Sequence, residues 1–507
     1  MLIIFNYLLL LTILVVFIFF TYLTLKIWLM RKKYQNLPGP KTKGIIQFYF
    51  GHYFTVNEFM SNGKILGELL REWSEKYGSV FVYQFMTEMI CITSEAEAIK
   101  EIMVDLNFSK KEMIYKIVGF PFNERFGGNG ILTESNHNKW RKRRTFFNHA
   151  FKKDNLLESI NRFNYKSDIF IEKLKRHAYD SPEKSVALLN EFNRLTLDVI
   201  ADVAFDLDLN TIEDPDSKFN YHITKSLHAV TLLALDPFCM FKISKRELIN
   251  ELKNSIISLR EECTDIINKK LFEIKDDPFF TKNMFSIILE YSKTDDDFDF
   301  DILVDDFITF FVAGQETTAN ALAFCFFELG KNEEILNKLI EEIDQVLGTK
   351  SEITSDDLAK LSYTNAVFKE SLRKWPPAAQ FSRNSNQDII INNHKIPKNT
   401  WFFVSPYLIA RSEKYYPRPD EFIPERFLKD HEFSLQNNIS SYTYFPFSVG
   451  PRNCIGQNFA QIEGKIILAK FIQNFNFRLD RKQSFKIVEY TTIRPIDEVK
   501  VHLTPKF

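Results

Sequence analysis

The chain has 507 residues, of which 45% are hydrophobic, enough to bury a large core. Its formal net charge of -1 gives no bulk electrostatic case for binding nucleic acid, and no nucleic-acid partner is expected. Five scattered cysteines without a CxxC pair argue against a disulfide framework and against a cysteine-rich zinc site.

The N-terminal segment is apolar enough to cross a membrane. Residues 1–25 contain no charged side chain, and about 20 helical residues suffice to cross ~30 Å of hydrocarbon. A cleaved signal peptide is the alternative, but no small-residue cleavage site follows the apolar run. The basic residues that follow predict a cytoplasmic orientation for the rest of the chain: Lys26, Arg31, Lys32 and Lys33. We expect a retained single-pass anchor over residues 1–30 and one domain over residues 31–507.

The remainder of the chain is predicted to be mainly α, with a small marginal β-sheet. The segment Leu37-Pro38-Gly39-Pro40 cannot continue a helix and indicates a hinge after the anchor. Helical apolar spacing occurs at residues 61–77, 138–151, 190–204, 245–274, 302–347, 355–374 and 458–474. Strand-like stretches are short and lie at residues 80–85, 89–93, 389–392, 400–405 and 499–503. Residues 293–301 are predicted to form a short acidic loop.

The helix predicted over residues 302–347 contains the sequence Ala313-Gly314-Gln315-Glu316-Thr317-Thr318. A glycine inside a helix costs ~1 kcal/mol relative to alanine, so its presence invites a reason. Ala313 and Gly314 leave one face low enough for a flat ligand, and the Thr317 hydroxyl can bond back to the Ala313 carbonyl. Glu316 adds a carboxyl, and an acid and an alcohol together can relay protons. The alternative is a helix-packing notch of small residues with Glu316 in solvent.

A cysteine is presented near the C-terminus by the loop Phe447-Ser448-Val449-Gly450-Pro451-Arg452-Asn453-Cys454-Ile455-Gly456. The loop precedes a predicted helix, whose N–H groups favour thiolate over thiol. Gly450 and Gly456 remove side chains where a flat macrocycle would approach the backbone. Arg452 offers a charged fork for a carboxylate, and Phe447 can shield the sulfur. For any lone cysteine the alternative is a buried structural role.

The pattern FxxGxRxCxG around Cys454 resembles the haem-binding loop of the cytochrome P-450 family, and AGxETT resembles that family's oxygen-activating helix. The resemblance implies the cytochrome P-450 fold, haem b (iron protoporphyrin IX) and Cys454 as the iron ligand, since a thiolate promotes O–O cleavage. Thr317 and Glu316 are the implied catalytic residues. The implied haem-binding residues are Trp140, Arg144, Ala313, Gly314, Arg383, Phe447, Gly450, Arg452, Cys454 and Gly456. Ala313 stands where many fatty-acid ω-hydroxylases carry a haem-linked glutamate, so non-covalent haem is expected.

Further residues match family features. Trp140 and Arg144 resemble the family's WxxxR pair for a haem propionate, and Arg383 is a second candidate for that role. The resemblance also implies a buried folding network of Glu370, Arg373 and Arg426. Beside Trp140, the basic residues Lys139, Lys142 and Arg143 suggest a docking face for an acidic electron-donor protein, with an ordinary solvated face as the alternative.

The implied activity is insertion of one oxygen atom from O2 into a hydrophobic lipid, sterol or xenobiotic. Electrons would come from an NADPH–cytochrome reductase or a cytochrome b-type donor, at the endoplasmic reticulum membrane. Pocket-lining segments are expected at residues 108–132, 205–241, 378–381 and 491–493. The alternatives are a peroxide-rearranging haem-thiolate enzyme, which tends to lose the acid–alcohol pair, and a membrane haem carrier or sensor.

Overall fold

The computed structural model describes residues 2–276, 285, 299–429, 431–436 and 439–506, and most of the expected acidic loop at 293–301 lies outside them. The first helices are α1 (Leu2–Tyr34), α2 (Gly44–Phe50), α3 (Tyr53–Ser61), α4 (Leu66–Tyr77), α5 (Ala96–Lys100), α6 (Glu112–Gly119), α7 (His137–Ala150), α8 (Lys153–Glu158), α9 (Ile160–Asp180) and α10 (Leu188–Phe205). They are followed by α11 (Lys218–Leu235), α12 (Arg246–Asp276), α13 (Phe300–Leu329), α14 (Glu333–Val346), α15 (Ser355–Lys360), α16 (Ser362–Lys374), α17 (Pro406–Ile409), α18 (Glu432–Gln436) and α19 (Gln457–Asn474).

The strands are short and lie at the margins of the helical body. They are β1 (Val80–Phe85), β2 (Glu88–Thr93), β3 (Val186–Ala187), β4 (Phe381–Asn384), β5 (Ile389–Ile391), β6 (His394–Ile396), β7 (Trp401–Val404), β8 (Phe475–Leu479), β9 (Ile487–Glu489), β10 (Ile493–Pro495) and β11 (Lys500–Pro505). The largest sheet has the order β1-β2-β7-β4, in which β2 and β7 are parallel and the other pairs are antiparallel. The remaining strands form a β3-β11-β8 sheet and the hairpins β9-β10 and β5-β6.

The structure confirms the mainly α fold with a small sheet. The predicted helices at 138–151, 190–204, 245–274 and 458–474, and all five predicted strands, agree with the structure within two residues at each end. Three predicted helices are wrong in extent because local breaks interrupt them. Residues 61–77 hold only the end of α3 before α4 begins at Leu66, and 355–374 is divided at Leu361. The helix expected at 302–347 is divided after Leu329, where a Cβ on Gly330 would lie 2.5 Å from Leu479 Cγ.

The N-terminal helix is long and apolar, as the sequence predicts. Among the described residues it is the one helix that could cross a membrane, with a candidate span at Ile4–Tyr34 and a mean hydropathy of 2.7. Its C-terminal end packs on the body, where the Tyr34 hydroxyl lies 2.7 Å from Thr400 Oγ1. The predicted hinge is wrong in character, because Val82 N donates to Pro38 O (2.8 Å) and Gly39 lies directly against Val82. The segment after α1 is therefore fixed to the edge of β1.

The central helix α13 organises the core. Its own leucine, phenylalanine and alanine residues are buried on almost every face of the helix, as expected for a helix within a large body. It packs along α10, and α19 crosses nearby with Gly464 against the ring of Phe368 on α16. A Cβ on Gly464 would lie 2.4 Å from Phe368 Cζ, so the helices approach closely there. Burial raises the pKa of Glu463 on α19, while Thr318 on α13 lowers it, so the two helices also meet through polar groups.

A buried ion-pair network joins α16 to the turn after Phe422. Arg373 Nε and Nη2 donate to the two oxygens of Glu370 at 2.6 and 2.9 Å, and Arg426 Nε donates to Oε1 at 3.4 Å. Ile423 N donates to the same oxygen at 2.8 Å. The charged side chains are 0% exposed. The folding network predicted from the sequence is thus present.

We predict that Glu370→Ala destabilises the fold strongly, because Arg373 would be left buried without its Glu370 counter-charge. Removing one partner of such a network costs about 3–5 kcal/mol. The measurement is the thermal unfolding midpoint of the purified protein. The control is Glu334→Ala, which removes a carboxylate that is 83% exposed and pairs with Lys338 on the surface. Equal midpoints for the two variants would contradict the prediction.

Candidate active site

The Cys454 loop is tightly folded and fixed against the body. Cys454 N donates to Phe447 O at 2.8 Å, which closes the loop, and Phe447 itself is half-buried against the core. Gly450 has φ +80°, and a Cβ there would lie 2.2 Å from Met103 O. The sequence interpretation of Gly450 as room for a macrocycle is therefore corrected. This glycine allows the loop to approach the π-helical turn Glu101–Asp105.

The sulfur of Cys454 faces open space. The other four cysteines are buried, whereas Cys454 is exposed although it lies deep within the helical body. The position of a Cβ on Gly456 is 3.9 Å from Sγ and otherwise in open space, in line with the expected role of this glycine. Burial among protein atoms raises the pKa of the Cys454 thiol, while the Gly456 N–H and the charge of Arg144 lower it. The expectation that the helix start alone favours thiolate is thus opposed by desolvation.

Helix α7 holds the loop from one side. Arg144 Nη1 and Nη2 donate to the backbone and side-chain oxygens of Asn453 at 2.8 and 2.9 Å. The Arg452 guanidinium lies over the Trp140 ring, 3.9 Å from its centroid, and donates to Glu134 O at 2.9 Å. Trp140 and Arg144 therefore contact the cysteine loop itself. The sequence analysis assigned both residues to a carboxylate of the ligand and did not predict their contacts with the loop.

Cationic side chains converge beside the loop: Lys110, Arg144, Arg383 and Arg452. Burial and the surrounding positive charges lower the pKa of Lys110 and lower that of Arg452 to about 10. Within the described part of the chain, neither residue forms an ion pair, nor does Arg383, whose Nε lacks a hydrogen-bond partner. Tyr115 shares a side-chain hydrogen bond with Arg383. One buried and three half-buried cations of this kind are suited to a ligand that carries carboxylates.

The accessible face of α13 lies around Ala313 and Thr317. Ala313 is exposed and Thr317 half-buried, although the turns on either side of them are buried. The Thr317 hydroxyl donates to Ala313 O at 2.7 Å, the back-bond that the sequence predicts. Gly314 points elsewhere, because a Cβ there would lie 3.0 Å from Ile200 Cγ1 on α10. Its expected role beside a macrocycle is corrected to close packing between two helices.

The carboxyl of Glu316 is held by a residue that the sequence analysis did not identify. Glu316 Oε1 accepts from Thr492 Oγ1 at 2.7 Å, in the turn between β9 and β10. Burial raises the pKa of Glu316, while hydrogen bonds from Thr492 and Thr491 and the charge of Arg494 lower it. The alternative of a solvated Glu316 is therefore wrong. The sequence carried no signal for Thr492 beyond its place in a segment expected to line the pocket.

A buried ion pair links α7 to α13. Arg143 Nη1 lies 3.2 Å from both carboxylate oxygens of Asp306, and Arg143 Nη2 donates to Glu134 Oε2 at 3.0 Å. Arg143 is 3% exposed. The prediction that Arg143 belongs to the docking face is therefore wrong, since its side chain points into the protein. Lys139, Arg141 and Lys142 are the exposed basic residues of α7.

The arrangement fits a flat macrocycle that carries two carboxylates and a central metal cation. The fit rests on the unpartnered Nε of buried Arg383, on the cationic cluster around it and on the open space beside Cys454 Sγ and Gly456. Thiolate sulfur is a soft ligand suited to iron. The fold and this donor set together define a haem-thiolate protein.

Comparison with known proteins gives the same assignment. Residues 42–503 match the family Cytochrome P450. Cytochrome P450 3A16 of mouse is 27% identical, covering 94% of this chain and 92% of its own length. Probable cytochrome P450 4d20 of Drosophila melanogaster is 26% identical, covering 85% and 87%. A crystal structure of a cytochrome P450 (CYP102L1) superposes with a TM-score of 0.77 at 25% identity, covering 93% of this chain and 100% of that one.

The chain belongs to the cytochrome P450 family. It is accordingly a haem-thiolate monooxygenase, an oxidoreductase that binds haem b non-covalently. The sequence predictions of family, fold, enzyme class and cofactor are confirmed.

We predict that Gly450→Ala prevents the loop from folding correctly, because its Cβ would meet the Met103 carbonyl at 2.2 Å. The measurement is the fraction of purified protein that carries haem, read from the haem absorbance relative to total protein. The matched control is Gly348→Ala, which also has positive φ (+52°) but has Asp344 O, at 3.7 Å, as its nearest neighbour. The control should retain haem. Full haem loading of Gly450→Ala would contradict the prediction.

Proposed function

We propose that this monooxygenase inserts one atom of O2 into a hydrophobic lipid, sterol or xenobiotic. In each turnover a C–H bond becomes C–OH, and the second oxygen atom leaves as water after uptake of two electrons and two protons. An NADPH–cytochrome reductase, or a cytochrome b-type donor, would supply the electrons. The observation that carries the proposal is the accessible sulfur of Cys454 beside the cationic cluster. The accessible Ala313–Thr317 stretch of α13 supports it.

In this proposal Cys454 is the iron ligand, and Arg452 and Arg383 bind the haem carboxylates, helped by Lys110. Haem, when bound, supplies the one-electron and oxygen chemistry that side chains lack. Gly456 leaves room beside the sulfur, and Phe447 packs between the loop and the core. The Trp140 ring packs against the Arg452 guanidinium, and Arg144 donates a hydrogen bond to the Asn453 carbonyl.

Proton delivery is assigned to Glu316 and Thr317. The Thr317 hydroxyl donates its proton to Ala313 O, and its oxygen keeps lone pairs that can accept a hydrogen bond. Glu316 is the adjacent carboxyl, and burial favours its protonated form. An acid–alcohol pair of this kind supports a dioxygen-consuming enzyme over a peroxide-rearranging one or a haem carrier. Neither of those alternatives requires delivery of protons.

The substrate class follows from composition and from the membrane. The segments expected to line the pocket are rich in aromatic and aliphatic side chains, which favour an apolar compound. Residues 1–30 are proposed as the anchor and 31–507 as the catalytic domain, at the endoplasmic reticulum membrane. The basic residues after the span support a cytoplasm-facing domain. A bilayer also concentrates apolar substrates near the enzyme.

The docking face for the electron donor is proposed on α7. Because Arg144 contacts Asn453, next to Cys454, the outer surface of α7 lies close to the cysteine loop. The exposed basic residues there are Lys139, Arg141 and Lys142. Complementary charge raises the rate at which an acidic partner encounters this surface.

We predict that Lys139→Glu combined with Arg141→Glu slows reduction by the reductase about tenfold at low salt, because like charges then repel the donor. The measurement is stopped-flow reduction, with peroxide-driven turnover as a second readout that needs no donor. The control is Lys395→Glu on β6, where the side chain is 73% exposed and remote in sequence from α7. Equal losses in the rate of reduction and in peroxide-driven turnover would contradict the proposed docking surface.

We predict that Cys454→Ser abolishes the red-shifted Soret band of the ferrous carbon-monoxide complex, because oxygen replaces the thiolate. With reductase, NADPH and a lipid extract, the native protein should give hydroxylated products by mass spectrometry and the variant none. Cys91→Ser is the matched control, since Cys91 is a buried cysteine in β2. An unchanged Soret band in Cys454→Ser would refute the iron-ligand assignment.

A further inference from the structure

The turn between β9 and β10 reaches α13 through one buried hydroxyl. Thr492 is 8% exposed and Asn320 is 1% exposed. Thr492 Oγ1 donates to Glu316 Oε1 at 2.7 Å, and Asn320 Nδ2 donates to Thr492 Oγ1 at 2.9 Å. Glu316 and Asn320 are four residues apart on α13, so both face the same side of the helix. The two residues therefore hold Thr492 between them.

This arrangement sets the direction of the hydroxyl proton. A threonine hydroxyl has one proton to donate and lone pairs with which to accept. Because its oxygen accepts from the Asn320 amide, the proton is left for the Glu316 carboxylate. A hydrogen bond donated to a carboxylate stabilises the ionised form more than the neutral acid. Thr492 therefore favours the state of Glu316 that remains after a proton has left.

The turn is itself held in place from two directions. Ile493 N donates to Pro377 O at 3.0 Å, and Leu66 N at the start of α4 donates to Glu489 Oε2 at 2.7 Å. The hydroxyl thus approaches α13 from a fixed strand pair. Arg494 and Thr491 are the other charged and hydroxyl groups that act on Glu316 from this hairpin.

We propose that Thr492 is a positioning residue for proton delivery, and that its hydroxyl, oriented by Asn320, holds the Glu316 carboxyl in one geometry beside Thr317. Glu316 gives its proton toward the accessible face of α13, becomes a carboxylate bonded to Thr492, and regains a proton from solvent. This inference rests on the proposed role of Glu316 and Thr317. No change in the electron balance is involved, because the step moves only a proton.

The test compares Thr492→Val, which keeps the shape and removes the hydroxyl, with Thr492→Ser, which keeps the hydroxyl. Haem-loaded full-length protein is assayed with reductase and NADPH for product formed per NADPH consumed. We expect Thr492→Val to lose about fivefold to tenfold in this coupling ratio, and Thr492→Ser to restore most of it. Peroxide-driven turnover should fall much less than the coupling ratio in Thr492→Val, because hydrogen peroxide itself carries both protons of the water that leaves.

A pH profile separates positioning from a purely structural role. Without the donated hydrogen bond the carboxylate is less stable, so the pH midpoint of coupling in Thr492→Val should shift upward by about one pH unit. Thr492→Ser should return the midpoint to its original value. A structural defect alone would lower activity at every pH and would lower peroxide-driven turnover as much as reductase-driven turnover.

The outcomes distinguish this proposal from the function on which it rests. If Glu316→Gln uncouples turnover but Thr492→Val remains fully coupled, the role of Thr492 is overturned and that of Glu316 stands. If Glu316→Gln remains fully coupled as well, the proton route itself is refuted. If Thr492→Val does not bind haem, Thr492→Ala is assayed in the same way, and loss of haem from both variants assigns Thr492 to folding and overturns the proposal.

Discussion

The buried ion pair between Arg143 and Asp306 positions both sides of the site. Arg143 lies on α7, whose other residues hold the cysteine loop, and Asp306 lies on α13, which carries the acid–alcohol pair. Glu134 extends the connection, since its carboxylate accepts from Arg143 and its carbonyl accepts from Arg452. Burial raises the pKa of Asp306 to about 6 even with the opposing charge of Arg143. A pair this deeply buried fixes the separation of two helices, because displacing Arg143 would deprive the buried Asp306 carboxylate of its opposing charge.

Electrostatics explains why the surroundings of Cys454 suit a macrocycle that carries two carboxylates and a central metal. Lys110, Arg383 and Arg452 are brought together by the fold at a cost in desolvation and mutual repulsion, which the lowered pKa values of all three reflect. Burial also raises the pKa of the Cys454 thiol, and the charge of Arg144 lowers it. Carboxylates at the cluster and a metal at the sulfur relieve both costs at once.

The β9–β10 hairpin holds Glu316 in place. Glu489 on β9 accepts from Leu66 N at the start of α4, while Thr492 in the turn bonds to Glu316. Burial raises the pKa of Glu489 to about 7. One short hairpin thus connects α4 to α13. The acid at the centre of the proposed mechanism is therefore held by a strand pair from the far end of the chain.

Local sequence patterns determined the elements and the chemistry of this protein, and the tertiary structure decided which way individual side chains point. The FxxGxRxCxG and AGxETT patterns sufficed for family, cofactor and enzyme class. Apolar spacing located α7, α10, α12 and α19, but the sequence analysis predicted neither α9 nor α11. The same spacing could not show that Arg143 is buried, since its partner Asp306 lies 163 residues away. Nor could it find Thr492, which meets Glu316 across 176 residues. Periodicity along one helix reports which residues share a face, whereas burial and hydrogen bonding depend on what the folded chain brings against that face.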